Sequence, residues 1–167
     1  MNKKSALLRN RQQQKAITVT EVQKALQEDE VVIEFVNFVM ANERGDSIMY
    51  AAHILLKNDP VPVFVPLCTE KELQKIFDSA GATATSMVSR FYRGVDLGNN
   101  NTVVSLGKDL FSLVWAPLEP YLKGIKKISY SPAGKLFNIA FHALPADSNK
   151  LLMDKYELHQ YFSTKQV

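Results

Sequence analysis

The spacing of apolar and polar positions changes along the chain, and each change marks an element. Thr18 to Glu21 has capping-box spacing, with the Thr18 hydroxyl placed to accept the Glu21 amide and the Glu21 carboxylate to reach back to the Thr18 amide. It predicts a short helix, Val19 to Leu26. From Glu30 the period becomes strand-like. EVVIEFVNFVM is dense in β-branched and aromatic residues, with Ile33, Phe35 and Asn37 on one face and Val32, Glu34, Val36 and Phe38 on the other. ANERGDS reads as a turn and IMYAAHILLK as a second extended run, so Glu30 to Lys57 is expected to be a β-hairpin. PVFVPLC gives a third strand, which Pro60 and Pro62 push toward a sheet edge or confine to its start. Thr69 and Glu72 repeat the capping-box spacing ahead of a helix ending near Ser79.

The pattern is weakest over residues 80–104, a loop rich in small residues, Asn and Gly with one helical turn expected at Met87 to Tyr92. DLFSLVWAPLEPYL reads as a buried helix over 108–122, interrupted by Pro117 and Pro120, with Phe111 and Trp115 at core spacing. Gly124 leads into the strand KKISYS. Ser131, Pro132 and Gly134 suit the first, second and fourth positions of a type I turn, so Lys126 to Ala140 is expected to form a second hairpin. The fold class that follows is α+β, a largely antiparallel sheet of β-hairpins with flanking helices.

Composition narrows the function classes. The chain has 167 residues, 46% hydrophobic and 22% charged, enough for one globular domain with a substantial core. A net charge of +3, from cations interleaved with acids, argues against a nucleic-acid partner. The apolar run Ala6 to Leu8 is too short for a signal peptide and the longest apolar stretches are strand-sized, so neither export nor a membrane partner is expected. One cysteine excludes an internal disulfide and a cysteine-based zinc site, and it fits a reducing, cytoplasmic setting. Lys3 to Lys15, rich in Gln and Arg, reads as a polar helix with too few apolar positions for a core of its own.

The residues that could carry chemistry have simple structural explanations. Cys68 ends an apolar strand ahead of a helix cap, where a buried thiol is the ordinary reading. His53 alternates with apolar neighbours, His142 follows Phe141, and His159 sits in the last strand; none has metal-ligand spacing with another donor. Glu34 and Asn37 lie on opposite strand faces, so at most one can serve a common pocket. Arg90 and Arg93 flank Phe91 and Tyr92, which would suit a peptide or acidic partner, but a solvated loop with two cations is the ordinary reading. No glycine-rich phosphate loop occurs, no cofactor is expected, and no catalytic, cofactor-binding or metal-binding residue is assigned.

LVWAPLEPYLKGIKKISYSPAGKLFNIAFHALP, followed by LLMDKYELHQYFST, resembles the first part of a CHAT domain, the caspase-like cysteine peptidase group found behind tetratricopeptide repeats in bacteria. The matching features are the Pro-Leu and Pro-Tyr-Leu helix, the apolar strand, the SP-x-G turn, the F-x-A-L-P segment and the Tyr-rich strand ending in Ser-Thr. Val19 to Phe38 is similar to the lead-in of such domains, whereas residues 80–104 find no counterpart. Ala133 stands where an acidic residue is common. The resemblance implies a caspase-like α/β domain over 18–167, with 1–17 as a polar helical linker from upstream helical repeats. In the family the catalytic histidine and cysteine lie in Thr-His-Gly-like and Ser-Ala-Cys-like segments after the strand that KYELHQYFST resembles, so both are expected beyond residue 167. The partners implied are a C-terminal catalytic half of the same protein, the upstream repeats, and a protein or peptide substrate. It also implies uncovered apolar side chains or a strand edge at Lys126 to Tyr130 and Tyr156 to Phe162. The alternative is a non-enzymatic protein–protein interaction module that binds through the hairpin sheet and its edge.

Overall fold

The computed structural model describes residues 18–41, 45–79, 106–147 and 149–162. The helix expected at Lys3 to Lys15, the turn at Met87 to Tyr92, and Arg90 and Arg93 lie outside the described residues.

The fold is α+β, built on a five-stranded mixed sheet in the order β3-β2-β1-β4-β5. Helix α1, Val19–Ala25, opens with the Thr18–Glu21 capping box: the Glu21 amide donates to Thr18 Oγ1 (3.2 Å) and the Thr18 amide to the Glu21 carboxylate (2.8 Å). Strands β1, Glu30–Met40, and β2, Ser47–Leu56, form the expected antiparallel hairpin, in register from Val31 opposite Leu56 to Met40 opposite Ser47. Strand β3, Val63–Thr69, takes the sheet edge and pairs antiparallel with β2. Pro66 has no N–H to donate and sits in this edge strand, where the register shifts opposite Tyr50 and Ala51. Helix α2, Glu70–Ser79, is capped as the spacing predicts, with the Thr69 amide donating to Glu72 (2.8 Å) and the Glu72 amide to Thr69 Oγ1 (3.2 Å).

The expected buried helix over 108–122 is present but not uniform. Residues 106–110 are α-helical, Phe111–Trp115 widens to a π turn, and Ala116–Tyr121 tightens to 3₁₀. The Ala116 amide reaches back to the Phe111 carbonyl. Pro117 and Pro120 supply no amide, so the α ladder cannot continue through them. Trp115 and Leu118 are fully buried, as core spacing requires.

The second hairpin, Lys126 to Ala140, is not formed. Strand β4, Lys127–Ser131, runs parallel to β1, and the chain beyond it coils into 3₁₀ turns at Gly134–Asn138 and Phe141–Ala143 instead of returning as a strand. The type I turn fails at Ala133, whose φ of −129° and ψ of 149° are extended, and Gly134 takes φ +51° to start the first 3₁₀ turn. A one-turn helix, Leu152–Lys155, then delivers β5, Glu157–Gln160, parallel to β4. Parallel neighbours need a crossover, and the 3₁₀ turns with the one-turn helix supply it.

The two faces of the sheet are buried unequally. Val31, Ile33, Phe35, Ile54, Ile128 and Tyr130 face the main core, packed against Leu73, Trp115, Leu136 and Phe141. Phe141 is its aromatic hub, with ring centroids 5.2 Å from both Phe35 and Tyr130 and 5.9 Å from Trp115. On the other face α1 seats Val22 and Leu26 on Val32 and Leu55. No described helix is long and apolar enough to cross a membrane.

Candidate functional site

The most connected polar cluster joins three elements around Tyr50. Its side chain is buried in β2, and its hydroxyl accepts the Lys135 backbone amide (3.0 Å) while donating to Glu70 Oε2 at the start of α2 (3.2 Å). The Lys135 ammonium lies 3.1 Å from Glu70 Oε1 and donates to Gln74 Oε1 at 2.7 Å. Burial pushes the Tyr50 phenol up, opposed by the Lys135 amide and reinforced by Glu70. The hydroxyl therefore keeps its proton and works as a relay between a donor amide and an acceptor carboxylate. Because the groups satisfy one another, the cluster clamps the SPAGK segment to the hairpin and α2. None of Tyr50, Glu70, Gln74 and Lys135 was singled out by sequence spacing; they lie far apart in the chain, and the one local signal was the glycine of SPAGK.

A second cluster gathers on Glu119. Trp115 Nε1 and the Tyr156 hydroxyl lie 3.1 and 3.3 Å from Oε1, and the Lys155 ammonium donates to Oε2 at 2.6 Å. The Lys155 ammonium also stands 4.9 Å from the centroid of the Tyr156 ring. These contacts tie the helical segment before β4 to the turn that delivers β5.

The thiol and the three imidazoles lie on four different elements: Cys68 on β3, His53 on β2, His142 in the Phe141–Ala143 turn and His159 on β5. Cys68 is 3% exposed, opposite Tyr50 in the β2–β3 pairing, and burial with the nearby Glu72 carboxylate pushes its thiol up to about 12. A thiol so displaced stays protonated at neutral pH, the reverse of what a nucleophile needs. His53 is exposed on the face away from the main core, opposite both Glu34 and Phe64, with its ring 5.3 Å from that of Phe64. His142 is half-buried in the Phe141–Ala143 turn. His159 Nε2 lies 2.7 Å from Glu157 Oε1 on β5. Glu34 is half-buried and Asn37 exposed, on opposite faces as alternation requires. Among the described residues no group of three or more His, Cys, Asp or Glu could hold a metal ion.

Part of the expected exposure at β4 and β5 is corrected. Ile128, Tyr130 and Tyr156 are buried, covered by the crossover segment and Phe141. The outer edge of β5 carries no strand among the described residues, and Phe162 just beyond it is 87% exposed, its ring 6.5 Å from that of Phe137. The hairpin tip supplies a further apolar surface, where Phe38 and Phe64 stand 6.4 Å apart on the face that α1 leaves open.

No protein-family model, curated protein or solved structure matches this chain.

Proposed function

We propose that the chain is the non-catalytic N-terminal part of a CHAT-type, caspase-like cysteine peptidase, a scaffold that positions substrate for a His/Cys dyad lying beyond residue 167. The observation that supports this reading is the parallel side of the sheet. Strands β1, β4 and β5 run in one direction, and β5 has no outer neighbour among the described residues. A catalytic half would add parallel strands there, and open sheets of that kind place their reactive groups at the carboxyl ends of the strands. In this reading residues 1–17 link to upstream helical repeats, the substrate is a protein or peptide, and the compartment is the cytoplasm. Cys68 takes no part, because a nucleophilic cysteine needs a depressed pKa and a base within hydrogen-bond reach.

The test is to sequence the coding region downstream of Val167, express the extended product, and treat it with a cysteine-directed activity probe and a peptide library. Cleavage, with the probe attached downstream of residue 167 and not at Cys68, is expected. An extended product that lacks paired His and Cys segments and cleaves nothing overturns the proposal. That outcome would favour the second reading, a non-enzymatic interaction module, for which the exposed Phe38 and Phe64 on the hairpin sheet speak.

A further inference from the structure

We draw no further inference here: the strongest candidate, the exposed apolar surface of Phe38 and Phe64 on the sheet face that α1 leaves open, carries none, because nothing in the structure shows what covers it.

Discussion

Gly134 and Tyr50 define each other's positions: a Cβ on Gly134 would lie 2.6 Å from the Tyr50 hydroxyl oxygen, the atom that accepts the Lys135 amide. Gly134 also has φ +51°, a region in which side chains with a Cβ are strained. Gly134→Ala therefore meets both a steric and a conformational penalty, and should lose about 2–4 kcal/mol of stability by urea denaturation. Gly124→Ala is the control. Its φ is +81° but nothing lies within 4 Å of the added Cβ, so it should lose only about 1–2 kcal/mol, the conformational part alone.

Tyr50→Phe keeps the ring and removes the relay. The Lys135 amide then has no hydroxyl to donate to and Glu70 loses one donor, while the Lys135–Glu70 ion pair can persist. A loss of about 1–2 kcal/mol is expected, because an unsatisfied buried donor costs more than a typical net hydrogen bond contributes. Hydrogen exchange should locate the loosening at residues 134–138, and uniform loosening across the sheet would contradict the clamp.

Phe141 touches three other rings, one of them on β1 and one on β4. Phe141→Ala should cost about 3–5 kcal/mol through lost burial and the cavity left between the crossover and the sheet. Phe141→Leu, which retains most of the volume, should cost less than half as much.

The parts of the fold legible in the sequence are those that local chemistry determines. Two capping boxes, a hairpin of β-branched residues and a proline-marked edge strand each follow from neighbours within a few positions, and each is present. Lys126 to Ala140 is different. Pro132 and Gly134 signal a reversal, but Leu136, Ile139 and Phe141 are apolar because they bury against the helical layer, not because they alternate along a strand. Periodicity over so short a stretch cannot separate the two, and the parallel partner that selects β4 lies about a hundred residues upstream. The clamp was illegible for the same reason, since Tyr50, Glu70 and Lys135 meet only through long-range packing. For Cys68, a position ending an apolar strand did carry the information, and burial agrees with it.

Acid should weaken the fold through two carboxylates. Hydrogen bonding from Lys127 holds Glu30 below its ordinary 4.5, and the Thr69 amide and hydroxyl hold Glu72 below the same value. A carboxylate whose pKa is depressed on folding contributes stability that is present above its unfolded pKa and is lost as pH falls through the folded one. Thermal midpoints should thus be flat above about pH 5 and fall on further acidification. Glu72→Gln and Glu30→Gln should each flatten part of that fall; an unchanged acid limb in both variants would remove these groups as its source.

Cys68 provides the remaining test, of reactivity and not stability. Burial holds the thiol at about 12, and the side chain is 3% exposed, so both thiolate population and access are small in the folded chain. Reaction with a disulfide reagent at mildly alkaline pH should then be limited by opening of the β2–β3 edge and should become fast in urea. Cys68→Ser should cost about 1 kcal/mol, because a hydroxyl replaces a small apolar group beneath α2. The same substitution in a chain extended beyond Val167 should leave peptide cleavage untouched. Rapid labelling of the native chain, or cleavage by the isolated chain that vanishes in Cys68→Ser, would show instead a reactive thiol in this strand, and the scaffold reading would fail with it.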